Sequence, residues 1–195
     1  NRNITTVIGG SHASALPEDL LKEEISLDLL VHGEGEITFA EITERVESGS
    51  DFCDVDGIAY RDGERIIVNP RRKLIESLEV LPFPARDQLE MDKYIPSPGT
   101  GNYMRLPTTG IMASRGCPYR CNYCSKGVWE DTIRFRSVEN VLSEIEHCIE
   151  KYGIYDFRFY DDGLTLPQWD LKRFCELVIH RGLKITWNCY SRVNH

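Results

Sequence analysis

Three cysteines fall within eight residues, Cys117-Pro118-Tyr119-Arg120-Cys121-Asn122-Tyr123-Cys124. Directly before them, Thr108 to Ala113 reads as a strand that ends at Ser114-Arg115-Gly116. Thiols this close in the chain, at the end of a strand, can converge on one centre. Gly116 and Pro118 suit a loop that wraps closely around a bound group. Arg115, Arg120 and Lys126 would offset part of the negative charge of thiolates and sulfides. Two metal chemistries meet this pattern. A four-iron cluster takes four thiolates, and three would leave one iron without a protein ligand. An open coordination position is what separates a reactive metal site from a structural one. Zinc instead prefers paired cysteine units and a fourth Cys or His. No second pair is near, so Cys189, His147 or His195 would have to complete a zinc site. Cys53, Cys148 and Cys175 read as buried core thiols.

The rest of the chain alternates strands and helices. Ile4 to Ile8 reads as a buried strand and Gly9-Gly10-Ser11 ends it. Pro17-Glu18-Asp19 has the composition of a helix first turn. Asp28 to Val31 is a second strand, ended by His32-Gly33-Glu34-Gly35, and Glu36 to Val46 shows helical spacing through Phe39, Ile42 and Val46. This alternation implies a parallel sheet with helices on its faces, and further strands are expected before it. Asp62-Gly63 marks a hairpin between Gly57–Tyr60 and Ile66–Val68. Residues 76–107 read as a linker lying on a surface, punctuated by Pro82, Pro84, Pro96, Pro98 and Pro107, with a short helix near Ala85–Met91.

The alternation then restarts. Val138 to Tyr152 is an amphipathic helix with Val141, Ile145, Cys148 and Ile149 on one face. Tyr155 to Tyr160 is a strand, Asp170 to Arg181 a helix, and Lys184 to Tyr190 a third strand. Three βα-type units at this spacing suggest a β/α barrel begun and not finished. The expected architecture is α/β: residues 1–75 form the C-terminal part of a Rossmann-like domain, and 108–195 the first three units of a TIM-like barrel.

Charge follows the same division. Residues 1–108 carry 11 basic and 20 acidic side chains, a net of −9, and residues 109–195 carry 12 and 11, a net of +1. The overall charge of −8 argues against nonspecific nucleic-acid binding. No apolar run approaches the roughly 20 residues of a membrane helix. With seven cysteines and no secretory signal segment, the thiols read as cytosolic, and a cytoplasmic enzyme is expected.

Two strand ends carry chemistry of their own. Asp161-Asp162-Gly163 closes the second barrel-type strand, where carboxylates face the active-site end of such folds. Either acid could accept from a ligand ammonium group, and either could be a turn or cap residue. Ser191-Arg192 closes the third strand, and Arg192 could grip a carboxylate or be a solvated surface residue. In the first half, Gly9-Gly10 lets backbone approach a ligand closely or makes a tight turn. Gly33-x-Gly35 lacks the third glycine of a dinucleotide fingerprint.

Cys-x-x-x-Cys-x-aromatic-Cys, filled by Cys117, Cys121, Tyr123 and Cys124, resembles the signature of the radical S-adenosylmethionine enzymes, and the flanking Ser114-Arg115-Gly116-Cys117-Pro118 strengthens the match. The resemblance implies that the loop follows the first strand of a partial β/α barrel. It implies that the three cysteines ligate a [4Fe-4S] cluster whose fourth iron binds the amino and carboxylate groups of S-adenosylmethionine. One electron then cleaves the sulfonium and yields a 5′-deoxyadenosyl radical. Tyr123 would sit by the adenine. A ligand-amine contact is implied after the second strand, usually in a Gly-Gly-Glu-like motif where this chain has Asp161-Asp162-Gly163. Arg192 is the candidate for the ligand carboxylate.

Gly9-Gly10-Ser11-His12, followed by Gly33-Glu34-Gly35-Glu36, resembles the end of the cobalamin-binding domain fused to one large branch of that family. Gly9 and Gly10 would then belong to a cobalamin site. The branch's Asp-x-His-x-x-Gly motif would precede this region, so His12 is not assigned as an axial ligand. The implied activity is reductive cleavage of S-adenosylmethionine, followed by methyl transfer or a ring-forming or rearranging step on a small-molecule substrate. An electron donor such as flavodoxin or ferredoxin is implied. The competing reading is a noncatalytic module stabilised by zinc.

Overall fold

Short β-branched and apolar runs form the strands, and the computed structural model describes residues 4–93 and 104–192. The expectations for Pro96, Pro98 and His195 lie outside the described residues. Contacts divide the chain into two compact units. The first runs to Ile75 and includes Arg120–Asp131; the second comprises Glu76–Tyr119 and the chain from Thr132 onward.

In the first unit, β1 (Val7–Ile8) pairs in parallel with β2 (Leu29–Val31). Between them lie α1 (Ser11–Ala15) and α2 (Pro17–Glu23), with Pro17 at the start of α2 as expected. Then come α3 (Glu36–Ser48) and the hairpin β3 (Ile58–Asp62) and β4 (Arg65–Val68). The sheet order is β1-β2-β3-β4. Only the β1–β2 pair is parallel, because the hairpin joins β2 antiparallel. The sheet is therefore mixed, where the alternation alone implied a parallel one. Successive side chains of β2 point to opposite faces. Leu29 and Val31 pack with Ile42, Val55 and Ile58, while Leu30 packs with Leu21, Ala13 and Ala59. Helices thus cover both faces. On α3 the pattern is only partly realised: Ile42 is buried, but Phe39 and Val46 are exposed.

In the second unit, β5 (Thr108–Ile111), β8 (Asp156–Phe159) and β9 (Thr186–Asn188) form a parallel sheet in that order. The helix α4 (Val138–Tyr152) follows the expected bounds, with Ser137 capping it through the Asn140 amide and Gly153 closing it in the left-handed region. The helix α5 (Leu171–His180) is capped by Asp170, whose side chain accepts from the Arg173 amide. One face of the sheet packs on these helices through Ile111, Phe157, Phe159, Ile145, Cys148 and Phe174. Edge-on aromatic contacts join Phe159, Phe174 and Trp187 at 5.6–5.7 Å. On the other face, Asp156 accepts from Thr108 Oγ1 at 2.8 Å and Thr186 Oγ1 at 2.5 Å, tying the three strands at one level.

Two features of this unit were not anticipated. Ser114–Gly116 forms a strand, β6, that pairs antiparallel with β7 (Ile133–Phe135). Residues 76–93, read as surface linker, instead enter the packing. They form single 3₁₀ turns at Leu78–Val80, Arg86–Gln88 and Met91–Lys93, in place of the short helix expected near Ala85–Met91. Leu78 is buried, and Arg86 is buried against Glu144 of α4, with Nη2 to Oε1 at 2.7 Å. Glu144 also takes Arg136 Nη1 at 2.5 Å on its other oxygen. The two arginines carry this contact to the strand: Arg86 donates to the Gly110 carbonyl and Arg136 to that of Met112, each at 2.8 Å.

Candidate functional site

The cysteine motif leaves β6 at Gly116. Cys117 belongs to the second unit, and Cys121 and Cys124 to the first. From Cys117 to Thr132 no helix or strand forms. The Cys124 amide donates to the Cys121 carbonyl at 3.0 Å. All three thiols are free of disulfides, Cys124 is exposed, and Cys117 and Cys121 are half-buried. The donor set therefore fits a soft metal centre: three unoxidised thiols on an irregular loop. Arg120 and Lys126, expected to face negative charge, both pair with Asp131, at 2.9 and 3.8 Å. Tyr123 is 93% exposed, so no packing contact among the described residues accounts for its aromatic ring.

The two acids after β8 separate. Asp161 is 2% exposed. Its Oδ1 accepts from the Ala113 amide at 3.0 Å, from Ser114 Oγ at 2.6 Å and from the Ser114 amide. Its Oδ2 accepts from the Ala113 amide at 3.2 Å. Burial pushes the carboxyl above the ordinary carboxylate range, against the pull of the hydrogen bonds from Ser114 and Ala113. Asp162 is exposed. The sequence carries a signal for this division. Phe157, Phe159 and Asp161 share one side of a period-two pattern, and that side is the helix-packed one. Ser114, legible in sequence as a strand end and as part of the motif's flank, is the second partner in this contact.

Arg192, at the end of the third strand, is exposed and lies over the ring of Tyr119, with 4.0 Å from guanidinium carbon to ring centroid. Tyr119 lies two residues after Cys117, so this strand end meets the start of the motif. Cys189 packs against the helix-side core, and burial raises its pKa. His147 makes aromatic contacts with Phe83 at 6.1 Å and Tyr152 at 6.0 Å. Cys148 is buried as expected and Cys175 half-buried against the core, but Cys53 is exposed, contrary to its reading as a core thiol. Cys53 lies beside Asp51 and Asp54 in a turn.

The first unit holds a pocket of about 630 Å³ at the ends of β1 and β2, a size in the range of small-molecule sites. Gly9, Gly10, Gly33 and Gly35 line it, with Phe39 and Trp129. This location accounts for the exposed Phe39 on a helix whose next turn buries Ile42. Gly10 has φ 102° and ψ −171°, a region essentially closed to other residues. Trp129 and Val128 come from the segment after the cysteines, and no sequence pattern marked them.

No protein-family profile matches the chain. An uncharacterized methyltransferase of Pyrococcus horikoshii is 34% identical over 100% of this chain and 41% of its own length. The anaerobic magnesium-protoporphyrin IX monomethyl ester cyclase of Rubrivivax gelatinosus is 32% identical over 99% of this chain and 34% of its own. A cobalamin-dependent radical S-adenosylmethionine methyltransferase of Streptomyces tokunonensis is 29% identical over 80% and 24%. Among solved structures, the cobalamin-dependent S-adenosylmethionine radical enzyme OxsB, with aqua-cobalamin and S-adenosylmethionine bound, superposes with a TM-score of 0.70 at 23% identity, over 93% of this chain and 25% of that one. The chain thus spans about two fifths or less of the relatives it matches. In its cysteine motif, its glycine turns and its sequence, the chain is similar to cobalamin-dependent radical S-adenosylmethionine enzymes and to their relatives among methyltransferases and cyclases.

Proposed function

We propose that the full-length protein is a cobalamin-dependent radical S-adenosylmethionine enzyme that acts on a small-molecule substrate by methyl transfer. The observation that carries this reading is the loop of three cysteines, none in a disulfide, placed directly after a three-strand parallel sheet's first strand and its β6 extension. Cys117, Cys121 and Cys124 would hold a [4Fe-4S] cluster, which when bound supplies the single electron for cleaving S-adenosylmethionine. The chain's own residues bind and orient. Asp162, exposed at its strand end, offers a carboxylate to the ligand ammonium. Arg192 offers its guanidinium to the ligand carboxylate. The open ring of Tyr123 offers a stacking face to the adenine. The glycine-lined pocket at Gly9 and Gly10 takes part of the cobalamin. In the full-length protein the order β5-β8-β9 continues into a partial β/α barrel. A cytoplasmic setting and electron supply by a flavodoxin or ferredoxin belong to the same proposal. Among the described residues, no helix is long and apolar enough to cross a membrane.

A ring-forming reaction is the second reading, favoured by the similarity to the cyclase. Two of the three candidate fourth ligands of the zinc reading are engaged elsewhere: Cys189 is packed against a core and His147 contacts two aromatic rings. Full-length protein purified anaerobically is expected to be brown, with about four irons per chain, and to retain added cobalamin through gel filtration. A colourless protein carrying one zinc would overturn the proposal.

A further inference from the structure

The two neighbouring acids after β8 do different work. Beyond Ile111 the chain leaves the parallel sheet, and the amides of Ala113 and Ser114 lose their ladder partners in a buried setting. Unpaired buried amides are costly. Asp161 takes both of them, together with the Ser114 hydroxyl. On the other side, the Ala113 carbonyl accepts from the Arg136 amide at 2.7 Å and that of Met112 from the Arg136 guanidinium. Then β6 is held by β7 up to Gly116, the residue before Cys117. The bend that launches the cysteine loop is thus fixed by backbone on one flank and by one buried carboxylate on the other. That carboxylate is covered and occupied. Asp162 is the acid left open.

We propose that Asp161 is a positioning residue for the cluster loop, acting through Ala113 and Ser114 on the approach to Cys117, and that ligand contact falls to Asp162 alone. This rests on the cluster reading given above. It divides two properties that a shared role would keep together. Losing Asp161 loosens cluster retention, and losing Asp162 weakens S-adenosylmethionine.

The test uses full-length protein with reconstituted cluster, and two readouts besides activity. One is the rate of iron loss to an external chelator. The other is the affinity for S-adenosylmethionine, read from its effect on the electron paramagnetic resonance spectrum of the reduced cluster. Asp161→Asn is expected to speed iron loss about ten-fold, the scale of lost outer partners at metal sites, with ligand affinity of the loaded fraction unchanged. Asp162→Asn is expected to keep the wild-type rate of iron loss and weaken the ligand about ten-fold, as for a lost charge-assisted bond. Wild-type iron retention in Asp161→Asn, or weaker ligand binding there and not in Asp162→Asn, would overturn the proposal. Should Asp161→Asn fail to fold by circular dichroism, Ser114→Ala removes one donor and leaves the carboxylate. It is expected to speed iron loss to a smaller degree, and an unchanged rate overturns the proposal. A wild-type protein that takes up no cluster would instead defeat the cluster reading itself.

Discussion

The guanidinium of Arg192 lies over the ring of Tyr119, 4.0 Å from its centroid, and so joins the end of the third parallel strand to the start of the cysteine motif. A planar guanidinium can stack on a ring, and its fork matches a carboxylate bidentately. A lysine has no such planar fork. Arg192→Lys is therefore expected to weaken S-adenosylmethionine binding about ten-fold with iron content unchanged. Titration of the loaded protein checks both.

Cys121→Ala is expected to abolish cluster assembly, while Cys189→Ala keeps it. The first removes a thiol from the loop, and the second changes a residue packed on the helix-side core. Iron and zinc analysis of the two purified variants decides. A full cluster in Cys121→Ala would exclude that residue as a ligand.

Burial raises the Cys148 thiol from 9.0 to about 11; Arg86 pulls the other way and Glu144 adds to the rise. A raised thiol pKa means that the folded state holds its proton where the unfolded state has lost it. The contribution of this thiol to stability is therefore flat in pH below 9.0 and falls as pH rises from there toward about 11. The loss reaches at most about 3 kcal/mol. Urea unfolding at pH 8 and pH 10.5, compared with Cys148→Ala, measures it. At pH 8 iodoacetamide should label the exposed Cys53 and spare Cys148.

Glu144 is the shared anion of two arginines, and removing it strands both. Glu144→Ala is expected to cost about 3–5 kcal/mol, the range for breaking a buried ion pair. Chemical denaturation gives the value. A cost under about 1 kcal/mol would show the network to be no better than a surface pair.

Gly10→Ala places a side chain where the backbone φ is 102°. The strain is of order 1–3 kcal/mol, and it falls on a turn that lines the pocket. The expected outcome is loss of cobalamin retention with the iron content of wild type. Absorbance of the corrinoid after gel filtration checks it.

The long helix α4 was legible to the residue from its period-3.6 apolar face, and the structure adds the Ser137 cap before it and Gly153 after it. The parallel strands of the second unit were legible from their β-branched and aromatic runs, though their expected ends ran up to two residues too wide. The pair β6–β7 was not, because three-residue strands carry almost no periodicity. Nor was the burial of Arg86, since a charged residue in a proline-rich stretch reads as solvated until its partner Glu144 is placed beside it. Spacing alone left the cysteine motif open between an iron–sulfur cluster and zinc, and it was the resemblance carried by Cys117, Cys121, Tyr123 and Cys124 that favoured the cluster. The separate fates of Asp161 and Asp162 needed the strand's register, because adjacent carboxylates are identical until one knows which way each points.

The contact of Arg86 with Glu144 also fixes where the protein can be cut. A gene fragment opened at Thr108, the first residue of the parallel sheet, would look complete by its strands and helices. It would nevertheless strip Glu144 of one of two counterions and leave the Gly110 carbonyl without its donor. Dissection of the enzyme into separately expressed parts should therefore open the second part at or before Glu76.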